Sequence, residues 1–225
     1  MMTSLRDRPP KPESDKICPL CGKKLEPEWG WNDWEIPEIH RECEQKIEYY
    51  KRLGIDKRYW LLPEFKIEEG NKKAWEAVED FIKNNGPKGL FLFGGAGTGK
   101  THLVTKIAQE VDMETKLIKF PELIMRLKGN FDGSSYENES IIENLANINL
   151  LIIDDIGAEK ASEWVSEIIY ILIDKRYSNM KTTVITSNFT PQELAERVGD
   201  RIVSRISEMC RIIEIKTSDK RKGVK

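Results

Sequence analysis

Gly94-Gly95-Ala96-Gly97-Thr98-Gly99-Lys100-Thr101 follows directly on the apolar run Leu90-Phe91-Leu92-Phe93 and fits the pattern G-x-x-x-x-G-K-[ST]. A strand that ends in a glycine-rich turn and opens into a helix aims several backbone N–H groups and a helix N-terminus at one point, which suits a chain of phosphates. Glycine is required because the turn needs φ above zero and the phosphates lie against bare backbone. In such a cradle, expected to run from Gly94 through Gly95, Ala96, Gly97, Thr98 and Gly99 to His102, Lys100 reaches the β- and γ-phosphates. The Thr101 hydroxyl is then a ligand of the Mg²⁺ that bridges them.

Outward from this stretch, strand and helix patterns alternate, which predicts an α/β fold around a parallel sheet. Strands are expected at Leu90–Phe93, Lys116–Phe120, Leu150–Ile153, Thr183–Ser187 and Arg211–Lys216. Helices are expected at Asn71–Asn84, Lys100–Val111, Pro121–Lys128, Ser140–Ala146 and Ala161–Tyr177, with a polar loop at Gly129–Glu137. The last helix carries Trp164, Val165, Ile168, Ile169, Leu172 and Ile173 at helical spacing, a core face. Tyr59-Trp60-Leu61-Leu62, just ahead of the sheet, suits either an adenine pocket or packing at a domain boundary.

Leu150-Leu151-Ile152-Ile153-Asp154-Asp155 is an apolar strand ending in two carboxylates, placed where ligands bind in open α/β sheets. Asp154 suits the orientation of Mg²⁺ beside Thr101, and Asp155 suits a general base or water-orienting group next to the γ-phosphate. The strand Thr183–Ser187 runs into Asn188, whose amide both donates and accepts and so could hold the attacking water, although an asparagine there also serves as a turn residue. In Gly199-Asp200-Arg201-Ile202-Val203-Ser204-Arg205-Ile206, Arg201 and Arg205 lie one helical turn apart on one face. They are either a solvated face or a source of positive charge for a neighbouring subunit's γ-phosphate.

The N-terminal region carries a separate signal. Cys18-Pro19-Leu20-Cys21-Gly22 is followed after eighteen residues by His40-Arg41-Glu42-Cys43. Two thiolates from a tight turn and a distant H-x-x-C pair make a closed tetrahedral Zn²⁺ site of Cys18, Cys21, His40 and Cys43, structural because no position is left open. Three clustered cysteines, with Cys210 far away, argue against a disulfide framework. Trp29, Trp31 and Trp34 fit a minimal core for this module, a platform for single-stranded bases, or an anchor for a partner protein.

The composition, 39% hydrophobic and 33% charged with a net charge of -2, is that of a soluble globular protein with no global attraction to nucleic acid. No apolar run approaches the roughly 20 residues of a membrane span and the N-terminus is polar, so a cytoplasmic location with no membrane partner is expected. The expected organisation is a disordered leader at 1–16, a zinc-binding domain at 17–53, a linker at 54–70, a nucleotide-binding domain at 71–216 and a basic tail at 217–225.

Taken together, residues from about Gly54 to Lys216 resemble the AAA+ ATPases of the DnaC/DnaI helicase-loader group, to which the IstB-like transposition ATPases are close relatives. Walker A (Gly94 to Thr101), Walker B with its following turn (Leu150 to Glu159), the sensor-1 segment (Thr186-Ser187-Asn188) and the arginine-finger helix (Gly199 to Ile206) occur in family order. The resemblance implies a five-stranded sheet in the order 5-1-4-3-2 with helices on both faces, Asn188 as sensor 1, and Arg205 rather than Arg201 as the finger. It also implies ATP and Mg²⁺ as cofactors, a replicative hexameric helicase and single-stranded DNA as partners, and ATP-dependent homo-oligomers. The Cys/His module is similar to the zinc-binding, helicase-contacting domain of DnaI-type loaders. Asp155 stands where many AAA+ members have Glu, which implies slow hydrolysis or help from Glu159, and only nine residues follow the last strand, so no helical lid is expected. A transposition helper and a non-hydrolysing ATP-binding adaptor are the competing readings.

Overall fold

The computed structural model describes residues 10–29, 33–86, 88–129, 135–158 and 162–219. These fall in two compact units, Met1–Arg52 with Asp56–Leu61, and Leu53–Ile55 with Leu62–Lys225.

In the first unit a two-stranded antiparallel ribbon, β1 (Glu28–Trp29) and β2 (Trp34–Glu35), precedes helix α1 (Arg41–Leu53). Ahead of the ribbon, Ile17 and Lys24 form an isolated antiparallel bridge around a turn in which Gly22 adopts φ 70°. One buried cluster is Cys18, Leu25 and Cys43, with Leu20, Ile36 and Ile39 packed against it. Aliphatic and thiol groups therefore build this cluster, and Tyr50 of α1 is buried as well. Trp34 is half-buried and outside that set, and Trp31 lies outside the described residues. Tyr59, Trp60 and Leu61 belong to this unit.

The second unit begins with α2 (Glu69–Lys83), started by a reciprocal capping box between Glu68 and Asn71. There follow β3 (Gly89–Phe93), α3 (Lys100–Glu110), β4 (Thr115–Lys119), α4 (Phe120–Gly129), α5 (Ser135–Asn147) and β5 (Leu150–Ile156). The chain continues through α6 (Glu163–Ser178), β6 (Thr182–Ser187), α7 (Pro191–Val198) and α8 (Asp200–Met209) to β7 (Cys210–Glu214). All five of these strands are parallel, in the order β4-β5-β6-β3-β7. Counted from β3 as the first, this is the expected 5-1-4-3-2 arrangement.

Strand side chains alternate between the two faces of the sheet. Phe91, Phe93, Leu151, Ile153 and Ile185 join one core with apolar residues of α4, α5, α6, α7 and α8. Their neighbours Leu90, Leu92, Leu150, Ile152 and Val184 are equally buried on the other face, toward which α2 and α3 present Ala74, Ala77, Val78, Phe81, Leu103, Val104 and Ile107. Burial on both faces explains why the central strands read as continuous apolar runs rather than as alternating ones.

Two expectations need correction. Helix α5 starts at Ser135 rather than Ser140, so both ends of the expected loop at Gly129–Glu137 are helical, while residues 130–134 lie outside the described residues. Its polar first turn hides the helix from a hydrophobic-period reading, and Asn138 is fixed by donating from Nδ2 to the Leu127 carbonyl at 3.2 Å. Strand β5 runs three residues past Ile153. Ile153 pairs with Ile185 and Ile156 with Ser187, so Asp154 and Asp155 oppose the single residue Thr186, which makes a β-bulge.

Candidate nucleotide-binding site

The turn after β3 is shaped by backbone that only glycine tolerates well. Gly99, the residue before α3, sits at φ 96°, and a Cβ there would stand 2.9 Å from the Phe65 ring. Gly94, at φ 154°, lies against the Ile215 carbonyl, with no room for a side chain. The Thr98 hydroxyl donates to the Gly95 carbonyl at 2.9 Å, bracing the turn from inside.

Lys100 opens α3 and is buried to 7% exposure. Its ammonium donates to the carbonyls of Gly94 (2.7 Å) and Gly95 (2.8 Å) and to Asn188 Oδ1 (2.7 Å). Asn188, just past β6, in turn donates from Nδ2 to Asp155 Oδ1 at 2.6 Å. On the other side of the bulge, Asp154 accepts from the Thr101 hydroxyl at 3.0 Å and from the Thr186 hydroxyl at 2.6 Å. Thr186 Oγ1 also accepts the Asp155 backbone N–H at 2.8 Å. The expected site residues Lys100, Thr101, Asp154, Asp155 and Asn188 are thus brought into one connected network, assembled from the turn after β3, the start of α3, and the ends of β5 and β6.

The bulge is what lets two consecutive acids serve one site. Regular alternation would send Asp154 and Asp155 to opposite faces. Asp155 instead adopts φ 61°, an uncommon conformation for a residue with a side chain, and its carboxylate is held by Asn188. Burial pushes the Asp154 carboxyl above the usual carboxylate range, against the opposing pull of the Thr186 and Thr101 hydroxyls. A buried anion beside a hydroxyl is a pair of hard oxygen donors of the kind that Mg²⁺ takes.

His102, expected at the end of the cradle, lies in the first turn of α3 with its ring 5.1 Å from that of Phe65. Phe65 stacks on Trp75 at 5.1 Å and 11°. Its place beside Gly99 is not legible in the sequence, where it falls in a stretch with linker character. Glu159 lies outside the described residues.

On α8, Arg201 is exposed and Arg205 is half-buried. Arg205 donates from Nε to Asp174 at 2.7 Å, from Nη1 to the Arg201 carbonyl at 3.2 Å and from Nη2 to the Tyr170 hydroxyl at 3.1 Å. A third arginine, Arg176 of α6, is fully buried, although in the sequence it reads as part of the polar end of a helix. It donates to the carbonyls of Leu145, Ala146, Ile148 and Thr182 and to Thr183 Oγ1, tying the end of α5 to the start of β6.

In the first unit, one ligand atom from each of Cys18, Cys21, His40 and Cys43 comes within 4.8 Å of every other. The His40 ring is oriented by its two nitrogens: Nδ1 faces the Cys21 sulfur at 3.2 Å and Nε2 faces the Lys24 carbonyl at 3.2 Å. A proton on Nε2 leaves Nδ1 as the ligand, the usual second contact of a metal-bound histidine. Burial pushes the Cys18 thiol up, but hydrogen bonds from the His40, Cys21 and Leu20 backbone and from the His40 ring outweigh it and bring it down to about 5. Burial, followed by the neighbouring Cys18 and Cys21, raises Cys43 to about 12. The donor set and its spread fit a tetrahedral Zn²⁺ site.

Comparison with known proteins agrees with this geometry. The family of IstB-like ATP binding proteins matches residues 71–225. The replicative helicase loader DnaC of Escherichia coli K12 is 31% identical over 138 residues, 60% of this chain and 55% of DnaC. The replicative helicase loader DnaI of Bacillus subtilis 168 is 32% identical over 128 residues, 53% of this chain and 40% of DnaI. The chain thus spans about half the length of the curated relatives it matches. A crystal structure of the DnaC helicase loader superposes with a TM-score of 0.64 at 32% identity, covering 72% of this chain and all of that one.

Proposed function

The chain belongs to the IstB-like ATP binding proteins, and on that premise we propose that it is an ATP-dependent loader of a replicative DNA helicase onto single-stranded DNA. The observation that carries the catalytic half is the continuous network from Lys100 through Asn188 to Asp155, with Thr101, Asp154 and Thr186 beside it. The loader half rests on the relatives, which are named replicative helicase loaders.

In this reading the cradle from Gly94 to His102 binds the triphosphate of ATP, and Lys100 exchanges its two carbonyl partners for β- and γ-phosphate oxygens. Thr101 and Asp154 hold Mg²⁺, which supplies charge neutralisation between the phosphates. Asp155 and Asn188 hold the attacking water, whose proton passes to a carboxylate oxygen as the γ-phosphoryl group leaves ADP. Asp155 is one methylene shorter than glutamate and is tied to Asn188, so turnover is slow and partner-stimulated. Arg205 acts in trans on the ATP of a neighbouring copy, which makes hydrolysis depend on assembly.

Cys18, Cys21, His40 and Cys43 hold a structural Zn²⁺ that folds the N-terminal module for contact with the helicase. Zinc supplies the fold here and no chemistry.

The test is co-purification of the full chain with a replicative helicase, with and without ATP, followed by helicase loading on single-stranded circles. The expected result is ATP-dependent loading that K100A abolishes. A chain that binds a transposase and no helicase is a transposition helper, and one that loads helicase without any turnover in single-turnover assays is a non-hydrolysing adaptor.

A further inference from the structure

Deepening the reading just given, and resting on Arg205 as a finger in trans, we propose that Asp174 and Tyr170 of α6 are positioning residues that hold Arg205 ready for the neighbouring subunit's γ-phosphate. An arginine on a helix surface ordinarily samples many rotamers, and most of them point away from any partner. Arg205 is instead constrained on three sides. Asp174 takes Nε–H at 2.7 Å, the Tyr170 hydroxyl takes one Nη2–H at 3.1 Å, and the Arg201 carbonyl, one turn back on α8, takes one Nη1–H at 3.2 Å. The guanidinium carbon also lies 4.8 Å from the Tyr170 ring centre and 5.8 Å from that of Tyr177.

A guanidinium has five N–H donors. These three bonds leave, among the described residues, one donor on each terminal nitrogen. A pair of N–H groups in a fixed plane is the fork that recognises phosphate oxygens. The side chain keeps 25% of its surface exposed, so the group meets solvent although it is anchored. Arg201 differs in all these respects: it is exposed, and it enters the arrangement through its carbonyl. The clamp therefore selects Arg205 rather than Arg201, a choice that the one-turn spacing of the two arginines leaves open.

Asp174 and Tyr170 sit on one face of α6, four residues apart. Their anchoring also ties α8 to α6, so the finger moves with the core of its own subunit and not as a free side chain. A misplacement of about 1 Å in such a group can cost about a hundredfold in rate, and a finger itself accounts for roughly a thousandfold or more. Releasing the clamp should remove part of that enhancement.

The experiment measures ATP turnover of the full chain with saturating Mg²⁺–ATP and a single-stranded oligothymidylate, alone and in subunit mixtures. D174N, which keeps shape and removes charge, and Y170F, which keeps the ring and removes the hydroxyl, should each lower kcat between about threefold and a hundredfold. Nucleotide affinity should stay within about twofold, since neither residue lies in the nucleotide network. Mixing D174N chains with K100A chains, which lack their own turnover but carry an intact finger and clamp, should restore turnover several-fold. If R205A is not rescued by K100A in the same mixture, the finger in trans fails and the clamp fails with it. If R205A is rescued while D174N and Y170F turn over like the parent, or lose activity that K100A does not restore, the clamp is overturned and the finger stands. A parent chain with no turnover at all overturns both.

Discussion

Replacing Thr186 by Val removes one hydroxyl and keeps the shape of a buried β-branched side chain, so the packing of β6 between β3 and β5 is preserved. The hydroxyl has two partners in the bulge, donating to the Asp154 carboxylate at 2.6 Å and accepting the Asp155 N–H at 2.8 Å. A hydrogen bond to a charged group contributes about 1.5–3 kcal/mol, and an N–H left unpaired away from water costs about 1–3 kcal/mol. Burying a methyl in place of a hydroxyl recovers roughly 1 kcal/mol. T186V should therefore lose about 2–4 kcal/mol of stability. In urea, with a slope of about 2 kcal/mol/M, the midpoint falls by about 1–2 M when followed by circular dichroism. Because Asp154 then loses one of the two hydroxyls that hold it, Mg²⁺-dependent ATP affinity should fall about tenfold, or roughly 1.4 kcal/mol. T186S keeps the hydroxyl and should restore both properties to near the parent. A T186V chain within about 0.5 kcal/mol of the parent, comparable to a neutral surface change, would refute the account of the bulge.

Three further expectations follow from the same geometry. Asp154→Asn should raise the melting temperature at neutral pH while abolishing Mg²⁺-dependent ATP binding in calorimetry. The sign follows from burial: the folded protein holds the Asp154 carboxyl above its ordinary value, so the residue's stability cost is absent below the unfolded value of about 3.9. That cost grows as pH rises through the folded value, and the difference between parent and D154N should therefore shrink on acidification. Arg176→Met should cost about 3 kcal/mol in urea denaturation, because four backbone carbonyls and Thr183 lose a fully buried donor. Purified full chain should carry one zinc per chain by mass spectrometry, and Cys43→Ser should reduce this below a tenth and expose residues 10–52 to proteolysis while leaving ATP binding intact.

Much of the second unit is legible from local pattern. The glycine spacing of Gly94–Thr101 states its own backbone demands and opens α3, the apolar runs announce strands buried on both faces, and apolar residues at helical spacing announce α6. The four zinc-type ligands are equally visible, because C-x-x-C and H-x-x-C impose their geometry over a few residues. Less visible was α5, whose first turn is polar, and so was the place of Trp34. Size suggested it for the core of the N-terminal module, yet it stays half-buried outside the cluster of Leu25 and two cysteines.

What the sequence by itself determined, then, is the set of chemical groups and the order of elements, since a period of hydrophobic residues or a run of glycines acts on its own few neighbours. Tertiary structure decided how those groups meet. Thr186 becomes a partner of both acids only because β5 bulges against β6, and Phe65 supports the cradle only because Gly99 leaves space for its ring. Arg176 is a core residue because the end of α5, the turn after it and the start of β6 converge on it, and Arg205 is distinguished from Arg201 by Asp174, thirty-one residues away. Each of these depends on residues far apart in the chain, whose juxtaposition is fixed by packing and by the pairing of buried polar groups, and no local periodicity encodes it.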